Sequence, residues 1–348
     1  NLMKPAIPAL LIRFIFERCT KKTERALLMR NIIDINSDWL PATVPDVLPQ
    51  GQKMYKRILP LNKEAEYVYY LEFISSVPNV ELFLNEEKID VHHGRYTIFR
   101  FDVTEQIVNG DNELDVLCDS DHPMLLANLI IVEKTHFSLD HFGDNGLSVR
   151  VTDASSQKAS VHICAGVTGS TENVMISYTV LTASGMMLAN KSVPASHPEY
   201  ECQLTKPSLW RGVTSPALYI AVASLAVNGS VTDQIVLPFG LTKVTVSDHS
   251  DLLLNGTCIP QKDLTASFDA DPYVYDDADE DGTMLCCDLR TLCEEASDEA
   301  DCKNQLTEYV LQHSYHPSIL CWKLPKQWEA LSSHVQELDP SRPVIVAD

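Results

Sequence analysis

Carboxylates, thiols and imidazoles are the side chains here that could do chemistry, and many of them fall between Asp269 and Asp348. The run Asp277-Ala278-Asp279-Glu280-Asp281-Gly282-Thr283-Met284 has acids at positions 1, 3 and 5, glycine at 6 and an apolar residue at 8, with Asp288 at 12. That is the spacing of a calcium loop. Leu285, Cys286 and Cys287 fill the next positions and suit a buried strand, and Asp288 replaces the bidentate glutamate of such loops. The reading adopted is no metal, with Asp277, Asp279, Asp281 and Asp288 kept as the calcium alternative. Cys286, Cys287, Cys293, Cys302 and Cys321 raise zinc, but their spacing contains no Cys-x-x-Cys pair and adjacent strand residues point to opposite faces. They are expected in the core, and His92-His93 as structural histidines on a strand.

Several elements must position these groups. From Trp39 to about Val132 short alternating runs, Tyr67 to Ser75, Val80 to Leu84, Tyr96 to Val103 and Glu113 to Cys118, predict a β-sandwich. Asn109-Gly110-Asp111-Asn112 predicts a hairpin between the last two. Leu147 to Val246 carries a second set of strands of immunoglobulin-like length. From Leu253 the texture changes to helices with single strands between them, an α/β pattern: strands Met284 to Asp288 and Ile319 to Trp322, helices Lys303 to Gln312 and Trp328 to Leu338.

Across 348 residues this implies several cores. Apolar residues at 45% and charged ones at 22% exclude general disorder. A net charge of −21 repels phosphate backbones and anionic lipid, so nucleic acid and membrane surfaces are poor partners. The apolar run Pro5 to Phe16 is too short to span a bilayer and is broken by Arg13; it is expected to be an N-terminal arm. Cysteines inside apolar runs favour a reducing, intracellular setting, against which stand three sequons at Asn190, Asn228 and Asn255.

The stretch His316-Pro-Ser-Ile-Leu-Cys-Trp-Lys-Leu-Pro-Lys-Gln327 resembles glycoside hydrolase family 2, the β-galactosidase, β-glucuronidase and β-mannosidase relatives. So do Trp39, Thr43-Val44-Pro45, Tyr55-Lys56-Arg57, Leu84-Asn85, Phe101-Asp102-Val103-Thr104, Pro207-Ser208-Leu209-Trp210, Leu254-Asn255-Gly256 and Asp339-Pro340-Ser341-Arg342. The resemblance implies an N-terminal arm (1–30), a jelly-roll sandwich (31–135), an immunoglobulin-like sandwich (136–246) and a truncated (β/α) barrel (247–348). It implies that Lys326 stands at the family's sugar-contacting asparagine, Gln327 at its acid/base glutamate and Asp288 at a strand-end acid. It also implies that Asp263, Thr265 and Ser267 replace a first-strand Gly-x-Asn-x-His, that about one βα unit is missing before Asp271-Pro272-Tyr273, and that the turn at Asn85-Glu86 is altered. An amide cannot transfer the proton that glycoside cleavage needs. The expectation is therefore a catalytically inactive relative without a cofactor, serving as a structural or protein-interaction subunit of an assembly. A carbohydrate-binding jelly roll, with Trp39, Tyr55 or Tyr96 stacking on sugar, is the alternative, and a β-galactosidase-like glycosidase stands behind it.

Overall fold

The computed structural model describes residues 30–41, 52–75, 77, 79–118, 124–139, 146–249, 251–260, 264–268, 274–294 and 296–347. The expected N-terminal arm, Thr43-Val44-Pro45, Asp263 and Asp271-Pro272-Tyr273 lie outside them.

Short, largely alternating strands in the first third produce two facing sheets. One has the order Asn31–Asp34, Met124–Glu133, Tyr67–Ser75, Ile98–Asp102; the other has Leu40–Pro41, Lys53–Leu61, Gly110–Cys118, Asn79–Leu84, Glu87–His93. Every second residue of Asn79–Leu84 (Val80, Leu82, Leu84) turns inward to meet Leu71, Phe73 and Leu129 of the opposite sheet, all fully buried. At about 25 cal/mol per Å² of apolar surface, such side chains each stabilise the fold by roughly 1.5–3 kcal/mol.

The structure corrects three local expectations. Ile98–Asp102 and Gly110–Cys118 belong to different sheets, so Asn109-Gly110-Asp111-Asn112 is not a hairpin. Buried Asn112 instead brackets the crossover, donating to Val108 O and Gly110 O and accepting from Val108 N. The strand expected from Tyr96 starts at Ile98, because Tyr96 has a left-handed backbone (φ 61°). The Asn85-Glu86 turn is retained: both residues are left-handed (φ 53° and 69°), as a two-residue hairpin of the primed type requires, although only Asn tolerates this readily.

The middle of the chain forms a second pair of sheets. Leu147–Ala154, Lys158–Ala165 and Glu199–Thr205 face Met187–Pro194, Val174–Thr182, Leu218–Val227 and Ser230–Gly240 across a core of Val161, Ile163, Leu204, Ile176, Tyr178, Ala223, Leu225 and Phe239. A buried ion pair ties Arg30 to Asp233 at 2.7 Å, and Asp233 also accepts from Phe137 N.

The last part is a four-stranded parallel sheet, ordered Thr265–Ser267, Leu285–Asp288, Ile319–Pro325, Val344–Ala347. Parallel neighbours need crossovers, and helices supply them: Val274–Asp281, Arg290–Glu294 with Glu299–His313, and Ser332–Leu338. The helix expected over Trp328 to Leu338 is two pieces, a 3-10 segment Lys326–Leu331 with non-helical Trp328, then Ser332–Leu338. Ile319, Leu320, Cys321 and Trp322 are all fully buried, which explains their unbroken apolar run. Ile319 and Trp322 face the helices; Leu320 and Cys321 pack with Trp210, Leu252 and Leu254.

Candidate functional site: the carboxyl ends of the parallel strands

In open parallel sheets and barrels alike, ligands gather where strands end and loops begin. At this end Asp288 and Lys323, cross-strand partners in register, form an ion pair at 3.0 Å, about a quarter exposed on one face of the sheet. Asp288 also accepts from the backbone N–H of Arg290 at 3.1 Å, the first residue of the following helix. Pro325 ends the adjacent strand, and Lys326 and Gln327 follow as exposed residues of the 3-10 turn. Glu329, also exposed, lies on that same turn. The strand ends therefore offer cations, an amide and two carboxyls to an approaching ligand.

The amino ends of the same strands serve structure. Asp339, almost fully buried, accepts from Trp322 Nε1 at 2.9 Å, from Ser341 N at 3.1 Å and from Arg342 at 2.8 Å. Burial would raise its pKa, but Arg342, Ser341 and Trp322 together outweigh that and hold the carboxyl below its usual value. Arg342 spends its other N–H groups on the carbonyls of Ile319, Ser314 and His316. A second bracket joins Asp279 to His316 Nδ1 at 2.7 Å and to Ser318 N at 2.9 Å, while Asp279 O accepts from Trp210 Nε1. The motif residues that carry the family resemblance are thus largely hydrogen-bonded framework. Two cavities, of about 520 and 710 Å³, also lie at this end, around Arg150, His162, Tyr315 and Arg342 and around Arg211, Cys258 and Met284. Neither touches Asp288, Lys326 or Gln327.

The calcium alternative does not assemble. Asp277, Asp279 and Asp281 lie on the helix Val274–Asp281, closed by Gly282 at φ 82°, and Asp288 is held by Lys323. A helix turns these acids to different sides, whereas a calcium loop wraps them round one point. Among the described residues the one group close enough to hold a metal is Asp276, Asp279 and His316, whose ligand atoms lie within 4.8 Å. Both Asp279 oxygens already accept protein hydrogen bonds there. No three of the cysteines approach one another in that way among the described residues. Cys287, Cys293, Cys302 and Cys321 are buried core members as expected.

The jelly-roll aromatics are tied into the protein. Trp39 Nε1 donates to Ile35 O, and Tyr96 packs edge-on against Phe268 of the α/β part. His92 stacks on Phe99 with ring centroids 3.8 Å apart and faces Glu308 at 3.6 Å. Burial, with His93 nearby, lowers its pKa to about 4. Thr97 and Ile98 bond Glu308 and Gln312, so the helix Glu299–His313 is clamped to the first sandwich. Sequence reasoning missed this clamp and both carboxylate brackets, because each depends on at least one partner 17 or more positions away.

No protein-family model matches the chain. Among curated proteins it is 23% identical over 387 residues to a putative β-glucuronidase of Formosa agariphila, covering 89% of this chain and 46% of that protein. It is 21% identical over 385 residues to a β-glucuronidase of Bacteroides fragilis, covering 85% and 55%. The chain thus spans about half the length of the curated relatives it matches. Among solved structures it superposes on an FMN-binding β-glucuronidase from Facaelibacterium prausnitzii L2-6 with TM-score 0.79 at 21% identity, covering 91% of this chain and 64% of that one. A putative β-galactosidase from Bacteroides fragilis gives TM-score 0.78 at 18% identity, covering 91% and 63%.

These matches correct the expectation of catalytic inactivity. The relatives bear the names of glycosidases, and Gln327 stands on a strand-end face that also carries carboxyls. A single amide does not exclude an acid delivered from elsewhere on that face. The mainly β architecture agrees with the β-sandwich parts of the family. Fold, motifs and relatives converge: the chain is a glycoside hydrolase family 2-like protein.

Proposed function

We propose that this chain takes part in recognising and processing β-linked glycosides of the glucuronide or galactoside type, with the sugar seated at the carboxyl ends of the four parallel strands. We further read those strands, with their helices, as part of a (β/α) barrel. The observation that carries the proposal is the joint placement of Asp288, Lys323, Lys326 and Gln327 at those strand ends, on a fold superposable with β-glucuronidases over 91% of the chain.

A sugar is held by hydrogen bonds to its hydroxyls, and Asp288 and Gln327 supply acceptors and donors for them. A glucuronide adds a carboxylate, for which Lys326 is a cationic partner on this face beside the Lys323–Asp288 pair. Cleavage with retention needs two carboxyl groups about 5 Å apart. Asp288 and Glu329 are the carboxyls carried by the two neighbouring strand-end turns.

The test uses p-nitrophenyl β-D-glucuronide and galactoside. Turnover, or saturable binding of the intact glycoside weakened at least tenfold by D288N, supports the reading. No turnover and no binding at millimolar glycoside overturns it.

A further inference from the structure

Cys286 and Cys321 are directly paired residues on adjacent parallel strands. Neighbouring strands run about 4.8 Å apart, inside the roughly 4.4–6.8 Å Cα separation that a disulfide bridges. Their side chains leave the sheet on the same face: two residues on, Asp288 and Lys323 are the next in-register pair and close their ion pair at 3.0 Å. The two sulfurs are close enough for each to perturb the ionisation of the other. Cys286 is half-buried and Cys321 fully buried, so one thiol of the pair is open to a reagent and the other waits beneath it.

We propose that Cys286 and Cys321 form a redox-active dithiol, in which Cys286 attacks a small disulfide such as oxidised glutathione and Cys321 resolves the adduct into a cross-strand disulfide. The site is independent of the glycoside reading and lies one layer of side chains below Asp288 and Lys323.

The chemistry balances as two successive thiol exchanges. The Cys286 thiolate bonds to one sulfur of oxidised glutathione, the glutathione S–S bond breaks, and one glutathione thiolate leaves and takes a proton. The Cys321 thiol then loses its proton and bonds to Cys286 Sγ, and the mixed disulfide breaks to release the second glutathione. Two protein thiols are oxidised by two electrons, and one glutathione disulfide is reduced to two thiols.

The surroundings distinguish the two sulfurs in the same sense. The Cys321 contact and the Lys323 ammonium lower the Cys286 pKa against the opposing effects of burial and Asp288. The pKa of Cys321 is raised by the same contact and by burial. The thiolate is the nucleophile, so attack begins at Cys286. Adjacent Cys287 points to the helix side, next to Tyr275, and burial pushes it up to about 12. Cys293 and Cys302 also share one core cluster, but both are fully buried and no half-open thiol starts an exchange there.

The test equilibrates the full chain with mixtures of reduced and oxidised glutathione, blocks remaining thiols with N-ethylmaleimide and maps peptides by mass spectrometry. The expected product is one cross-link between the peptides bearing Cys286 and Cys321, two hydrogens lighter, appearing before any link between Cys293 and Cys302. C321S, near-isosteric, should stop at a glutathione adduct on Cys286. Cys286 should also alkylate with iodoacetamide at least about tenfold faster than Cys287. Full N-ethylmaleimide labelling of both thiols in the wild-type chain at every glutathione ratio overturns the proposal, and so does a glutathione adduct that persists on wild-type Cys286.

Discussion

Replacing Asp339 by Asn should loosen the α/β part of this protein more than any surface change there. The carboxylate is 3% exposed and receives Trp322 Nε1, Ser341 N and Arg342. Arg342, itself 6% exposed, uses its remaining donors on three carbonyls that precede or begin the strand Ile319–Pro325. D339N keeps the shape and one oxygen acceptor but leaves a buried guanidinium without its counter-charge. Breaking a buried pair in this way costs about 3–5 kcal/mol. For a unit of about 100 residues, each kcal/mol moves Tm by roughly 4–8 °C, so a fall of at least about 12 °C is expected for the transition reported by buried Trp322 fluorescence. The double variant D339N/R342M should recover part of the loss, because it removes the stranded charge as well. A D339N transition within about 1 kcal/mol of wild type would refute the claim that this motif is a charged bracket. The same bracket carries a pH signature. The Asp339 pKa is depressed on folding, so its contribution is present above the unfolded value near 3.9 and is lost as pH falls through the folded value.

Two further outcomes follow from contacts elsewhere. His92 is kept neutral in the folded chain with a pKa near 4, against 6.5 unfolded, so stability is full above pH 6.5 and falls as pH drops toward 4. The loss is capped at about 3 kcal/mol and reduced by Glu308 at 3.6 Å. H92F should flatten the fall in stability over that window in urea titrations, so that the wild-type-minus-variant difference itself changes with pH; a variant with the wild-type slope would contradict the assignment. Gly282 has φ 82°, and a Cβ there would meet the backbone of Gly212 and Val213 at 2.4 Å. G282A should cost at least about 2 kcal/mol in the same titrations; a neutral variant would show that the close approach is not needed.

The strands were legible where one face is buried, because period-two alternation survives any tertiary arrangement: the run Val80 to Leu84 alternates as the sequence predicts, within Asn79–Leu84. Their pairing was less legible. Asn109-Gly110-Asp111-Asn112 has hairpin chemistry, yet a crossover between sheets uses the same residues, since Asn112 can satisfy backbone groups of a wider loop. The acidic run fitted a calcium loop until helix formation and the bond from Asp279 to His316, 37 positions away, determined its geometry. At the site, Lys326 and Gln327 were singled out by register with His316 and Trp322, and Asp288 by its likeness to a strand-end acid. The Asp288–Lys323 pair was not, although Lys323 two residues after Cys321 marks a polar exit from a buried strand. What Gln327 meant for activity was read too strongly, since the relatives bear the names of glycosidases.

Hydrogen exchange followed by mass spectrometry in the presence of p-nitrophenyl β-D-glucuronide tests the central claim most directly, because it reports where the sugar sits whether or not it is cleaved. Slowed exchange over 323–331 and 286–291, with the first sandwich unchanged, is the predicted result. Protection confined to the strands around Trp39 and Tyr55, or none anywhere at saturating glycoside, would contradict it.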